Sequence, residues 1–326
     1  MEVGKEMGGS RGGYTKKLGR AKIFRGKSIH GYQKRCTFAA PNEGTEIVQA
    51  SNAHRYRHPY TLIRVSIYTD TDIEKQKKQL ERYLDVTRSQ LLFAKGCLFV
   101  EGVTEAMLMD TFSKINQTPL ADSQIEVVNT NGTAFYQFLL LYNSTNIDKR
   151  LPNKVAIFSD GDEYVKSKDY TLATIESDTN KIEELRDNIY KGKPIGRIAN
   201  LQSVAHGQKN IKICASFKTL EYEICLGNVG QTLEMTIESD LYQFLLTYCK
   251  DNLDRMKAYL DTYAGKNLTD QEKQRIAIVL WKCIPSKGTF AQELAYYLEQ
   301  RLKDNDNPLK FEVPIYIKDG FTHLFS

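Results

Sequence analysis

The sequence predicts an α/β fold: a parallel sheet flanked by helices, followed by a helical extension. Three observations carry this. Apolar runs at residues 97–100, 125–128, 154–158 and 211–215 lack the alternation of half-exposed strands, which is the pattern of strands buried on both faces. Helical or turn-rich segments separate these runs, as crossover connections require. Beyond residue 226 the period is almost entirely helical.

Taken in order, residues 1–35 hold eight glycines and many Lys and Arg, which reads as a loose basic arm. Short β-like runs follow at 46–50 and 61–68. A helix is expected over 72–93, with Leu80, Leu84, Thr87 and Leu91 on one face. Strand 97–100 ends in Glu101-Gly102 and leads into a helix over 104–115. Strand 125–128 is followed by a turn at 129–132 and a helix through 141. Strand 154–158 runs into Ser159-Asp160-Gly161-Asp162. Residues 163–209 are polar, with one charged helix near 180–190, and 211–215 is the fourth strand. One long helix is expected over 237–263. The next, over 269–283, opens with a capping box of Thr269 and Glu272. Residues 286–304 place Phe290, Leu294, Leu298 and Leu302 on one stripe, and 311–317 reads as a short strand or extended segment. The expected divisions are 1–70 for the arm and its β-like runs, 71–226 for the α/β domain with its preceding helix, and 227–326 for the extension.

Composition excludes several classes. At 326 residues, 41% hydrophobic and 26% charged, the chain is of ordinary globular make-up. No apolar run reaches the roughly 18–20 residues of a membrane span, and the first residues lack a signal-peptide core. Six scattered cysteines without a CxxC pair argue against a zinc ribbon or a disulfide scaffold and for a reducing cytoplasm. The net charge of +5 is uneven: residues 1–60 carry 12 basic and 4 acidic side chains, the remainder 33 and 36. Binding to nucleic acid by the body of the protein therefore needs a local patch or a bound metal.

The acidic residues at strand ends are the chemically informative feature. Glu101 would end its strand, with Glu105 one turn into the next helix. Asp160 and Asp162 flank a glycine at the end of another strand. The carboxyl ends of strands are where open α/β sheets bind ligands. Four carboxylates at one edge repel unless a cation lies among them, and Mg²⁺ takes hard oxygen ligands. Such ions activate water and stabilise a leaving oxygen in phosphodiester cleavage. An Asx-turn explains Asp160 and Asp162 taken alone; the shared context of the two pairs points to metal.

The runs LFVEGVTE, IEVVNTNG and VAIFSDGDEY resemble the Toprim domain of topoisomerases, primases and nucleases. With LERYLDVTRSQLLFAKGCLFVEGVTEAML, KTLEYE, KGTFAQELAYYLE and FEVPIYI, residues 80–325 resemble the C-terminal half of OLD-family (overcoming lysogenisation defect) endonucleases, relatives of the Gabija phage-defence nuclease. The resemblance implies a Rossmann-like Toprim sheet with a helical C-terminal extension. It implies DNA nicking or cutting dependent on Mg²⁺ or Mn²⁺, with two ions. It assigns Glu101 as metal ligand or general base, Glu105, Asp160, Asp162 and Glu221 as further metal-site acids, and Lys287 as a cation beside the scissile phosphate. DNA is the implied substrate and a homodimer an implied state.

The sequence departs from that family in one respect. Its complete members begin with an ATPase head, and no GxxxxGK[ST] loop occurs here. The expectation is either a self-sufficient nuclease or a subunit, inactive alone, that works with a separate ABC-type ATPase. Residues 46–54, EIVQASNAH, read as a worn remnant of such a head or as a plain strand and loop. Tyr56 and Tyr60, interleaved with Arg55 and Arg57, read either as base-stacking residues or as packing under a loop. His54, His58 and His206 lack metal-site spacing.

Overall fold

Four parallel strands in the order β5-β4-β6-β7 form the central sheet of the computed structural model: β4 Gly96–Val100, β5 Ile125–Asn129, β6 Lys154–Ser159 and β7 Ile211–Ala215. The structure describes residues 36–38, 45–50, 63–66, 78, 91, 93–144, 150–161, 170–191 and 196–326. The strands β1 Cys36–Phe38, β2 Thr45–Ala50 and β3 Ile63–Ser66 pair antiparallel in a separate sheet. The basic arm, residues 54–60 and nearly all of the helix expected over 72–93 lie outside the described residues. The end of that helix does not hold, because Phe93 lies in a turn before β4.

The apolar runs are strands for the expected reason: β4 is buried at every position and β6 at all but its first. Their side chains alternate between two cores. Leu98, Val100, Ala156 and Phe158 face one, with Leu108 and Phe112 of α1 (Val103–Ile115). Cys97, Phe99, Val155 and Ile157 face the other. There Phe138 and Leu139 of α2 (Tyr136–Leu139) and Leu201 of α5 (Arg197–Ala205) cover them. The helix expected through 141 is thus a single turn. The polar span 163–209 holds more helix than its composition suggests, since α3 (Leu172–Ser177) and α5 accompany α4 (Asn180–Lys191).

After β7 come α6 Leu220–Gly227, α7 Leu233–Ile237, α8 Asp240–Tyr248, α9 Lys250–Asp261, α10 Asp270–Cys283, α11 Lys287–Arg301 and α12 Ile315–Phe325. The single helix expected over 237–263 is broken twice. The Ser239 side chain accepts from the Tyr242 N–H and starts a new helix, as a good N-cap does. Cys249, at φ −144° and ψ 40°, breaks the next turn. The capping box at Thr269 and Glu272 forms as expected. Phe290, Leu294 and Leu298 are buried along α11, while Leu302 is 36% exposed and falls off the stripe. The short strand or extended segment expected over 311–317 is corrected at its end: residues 311–314 join no helix or strand, and Ile315–Phe325 is helical. That helix packs on β6 and β7. No helix among the described residues is long and apolar enough to cross a membrane.

Candidate functional site

In the order β5-β4-β6-β7 the connections reverse direction between β4 and β6. The reversal opens a crevice at the carboxyl ends of those two strands, where such sheets bind ligands. The register pairs Phe99 with Ile157, so Glu101 and Ser159 emerge side by side.

Glu101 is fixed through one oxygen. Its Oε1 accepts from Ser159 Oγ at 2.6 Å and from the Asp160 N–H at 3.0 Å, and lies 3.2 Å from Arg197 Nη2. Its backbone carbonyl accepts from the Gly132 N–H at 2.6 Å. Every bond Glu101 makes to its side chain among the described residues goes to Oε1, so the carboxylate is aimed and Oε2 is uncommitted. Arg197 Nη2 also donates to the Asp160 carbonyl at 2.7 Å, tying the two strand ends together.

Asp160 points across to the start of α6, where its Oδ1 accepts from the Leu220 N–H at 3.2 Å. Gly161 makes this approach possible: a Cβ there would sit 2.2 Å from the Ser216 carbonyl oxygen and 2.6 Å from that of Phe217. Asp162 lies outside the described residues.

Glu105, in the first turn of α1, has its carboxyl pushed up from the usual range. Burial is the main cause, and the charges of Glu221 and Glu101 add to it; backbone N–H groups of Glu105 and Gly102 offset part. Glu221 is in the first turn of α6 and is 3% exposed. Lys287 Nζ lies 3.2 Å from Glu221 Oε2. That ion pair lacks hydrogen-bond geometry, and Oε2 is buried with no hydrogen-bond partner. Helix α11 packs along α1, which is how a residue far along the chain reaches this edge.

Three nearby groups escaped the sequence reading. Arg197 follows a Gly/Pro loop and gave no strand-end signal. Glu223 is buried and its carboxyl is pushed up to about 7, desolvation outweighing backbone N–H bonds from Phe217 and Lys218. Tyr316, from α12, feels the charges of Asp160, Glu223, Glu105 and Glu221, and burial and those charges push its phenol well up. The second glutamate of KTLEYE was the one available hint for Glu223.

The arrangement thus brings Glu101 and Asp160 together at the crevice and couples Glu105 to Glu101 and Glu221. It pairs Glu221 with Lys287. Among the described residues no three acids form a ready-made ion site.

The family described as "Overcoming lysogenization defect protein-like, TOPRIM domain" matches residues 92–162. These residues are similar to an OLD-like Toprim domain. Its match spans Glu101, Glu105, Asp160 and Asp162 and ends before Arg197, Glu221, Lys287 and Tyr316. The solved C-terminal region of the Burkholderia pseudomallei OLD protein is similar at 17% identity, over 71% of this chain and 97% of that one, with a TM-score of 0.39. The C-terminal region of the Xanthomonas campestris pv. campestris OLD protein is similar at 19% identity, over 72% and 94%, with a TM-score of 0.38. A comparison with curated proteins finds no match.

Proposed function

We propose that the chain is a metal-dependent DNA endonuclease of the OLD/Toprim type, acting in phage defence, with Mg²⁺ or Mn²⁺ as its ion. The observation that carries this is the switch-point crevice of an OLD-like Toprim domain, where Glu101 is aimed through Oε1 and leaves Oε2 open.

The residues fit a hard divalent cation. The donors are all carboxylate oxygens, the ligand type that Mg²⁺ prefers. Glu221 Oε2 is buried without a hydrogen bond, and the Glu105 carboxyl is pushed up by burial, with the charges of Glu221 and Glu101 adding. Both are costs that a nearby cation relieves. Glu101, Glu105, Asp160, Asp162 and Glu221 would hold two ions. Bound there, the metal supplies a Lewis acid and lowers the pKa of water.

The chain's own residues do the rest. Ser159, the Asp160 N–H and Arg197 hold Glu101 in one orientation, so little reorganisation is needed when substrate arrives. Lys287, 56% exposed at its side chain and on the edge of the acid group, stands where it can stabilise charge growing on a phosphate.

The test is nicking of supercoiled plasmid by the purified chain in Mg²⁺, Mn²⁺ or EDTA, beside Glu101→Ala and Lys287→Ala. Metal-dependent nicking should fall at least about 10³-fold in the first variant and about 10- to 100-fold in the second. If no metal supports nicking, a separate ATPase is added; silence there too overturns the reading.

A further inference from the structure

Tyr316 has no role in the site as derived so far. Helix α12 runs antiparallel to the strands it covers. At its far end Lys154, which opens β6, bonds Ser326 Oγ at 2.9 Å, and His323 Nε2 lies 3.2 Å from the Asn210 carbonyl, just before β7. At its near end the Tyr316 ring stands edge-on to Phe158, with centroids 5.6 Å apart and planes at 73°. Phe158 is two residues before Asp160. Gly320 allows the close seating, since a Cβ there would sit 2.2 Å from the Phe158 ring. The first turn of α12 is therefore pressed against the acid edge.

There the phenol lies within reach of the charges of four carboxylates from three elements, Asp160, Glu223, Glu105 and Glu221. Its hydroxyl nonetheless makes no hydrogen bond among the described residues, although the ring is half-buried. It is not one of the buried polar atoms left unsatisfied, so the O–H is open to water and to an incoming ligand. Of the cations at the site, Arg197 is engaged by Glu101 and the Asp160 carbonyl, and Lys287 faces Glu221. A phosphodiester entering this edge brings one more negative charge to an acidic place. A neutral O–H donor binds its oxygen without competing with metal for the carboxylates.

We propose that the Tyr316 hydroxyl is a further catalytic residue of this site, donating a hydrogen bond to a non-bridging oxygen of the scissile phosphate. This rests on the nuclease reading for its setting, so the test separates the two. Tyr316→Phe keeps the ring against Phe158 and removes only the hydroxyl. In Mn²⁺ its kcat for plasmid nicking should fall about 10- to 100-fold, the weight of a hydrogen bond to a charged group, with an unchanged thermal midpoint. Duplex carrying sulfur at the non-bridging position accepts the bond weakly. Wild type should slow on it more than Tyr316→Phe does. Equal nicking by both proteins, or an equal slowing by sulfur, overturns the proposal and leaves the nuclease standing. If wild type nicks in neither metal, with or without a separate ATPase, the nuclease reading fails. Binding of a short duplex in Ca²⁺ then decides for Tyr316: weakening of about threefold or more in Tyr316→Phe supports the contact, and equal affinity overturns it.

Discussion

Two buried acids of this chain are treated in opposite ways. Asp240, in the helical extension, is 5% exposed and fully bonded. Its Oδ1 accepts from Arg301 Nε at 2.5 Å and from the Tyr297 hydroxyl at 3.1 Å, and its Oδ2 from the Lys310 N–H at 2.6 Å. Glu221, at the sheet edge, is 3% exposed and has Lys287 at 3.2 Å with one oxygen unbonded. Removing charge from water is costly unless bonds replace the water. Asp240 meets that cost within the protein. Glu221 leaves it open, which makes sense when the missing partner arrives from outside. On the proposed function, the difference is that between an acid that holds the fold and one that serves a site.

The largest effect expected breaks the first half of that comparison. Asp240→Ala removes three bonds at once, from Arg301 Nε, the Tyr297 hydroxyl and the Lys310 N–H, leaving Arg301 to Asp304 alone among the acids, and should cost about 3–5 kcal/mol. Glu221→Gln should leave stability unchanged or raise it by up to about 1 kcal/mol, while impairing nicking. Urea denaturation of both variants checks this. Equal losses of stability would erase the distinction between the two acids.

Glu223 is an intermediate case and yields a pH dependence. Its carboxylate accepts the Phe217 N–H at 2.6 Å, yet burial still pushes it from 4.5 up to about 7. The folded state therefore holds a proton that the unfolded chain gives up between those values. Stability is greatest below about 4.5 and falls as pH rises through about 7, by about 3 kcal/mol from this group. Glu223→Gln should remove that decline. Urea midpoints measured at pH 5 and pH 8 would be closer together in the variant; an unchanged interval means that Glu223 ionises normally.

What the sequence revealed and what it hid divide along the range of the interactions. Strands β4 and β6 were legible because burial on both faces leaves an unbroken apolar run. The capping box at Thr269 was legible because its two partners lie three residues apart. Glu101 and Asp160 were legible as acids beside glycines at strand ends, and Glu105 as an acid one turn into the helix that follows. The breaks at Ser239 and Cys249 were not, because the apolar period continues across them and local capping decides instead. The helix Ile315–Phe325 was missed because VPIYI reads as strand. Its conformation depends on packing against β6 and β7, which the local pattern does not contain. Arg197 and Tyr316 come to Glu101 and Asp160 from distant segments, and no spacing announces them.

Gly161 offers the smallest and most local test of the comparison. The extension's buried acid sits in the first turn of α8, whereas Asp160 is delivered by a backbone passing against the Ser216 and Phe217 carbonyls. A methyl at Gly161 would fall 2.2 Å from the first of these, against backbone that has no rotamer to yield. The loop must then move, at about 1–3 kcal/mol. The displacement would shift Asp160 away from Leu220 and loosen the Asp160 N–H that holds Glu101. Gly161→Ala should therefore lose nicking more steeply than stability, with a urea midpoint only modestly lowered. A variant that nicks normally would show that the site tolerates a displaced Asp160, and that the close approach serves packing alone.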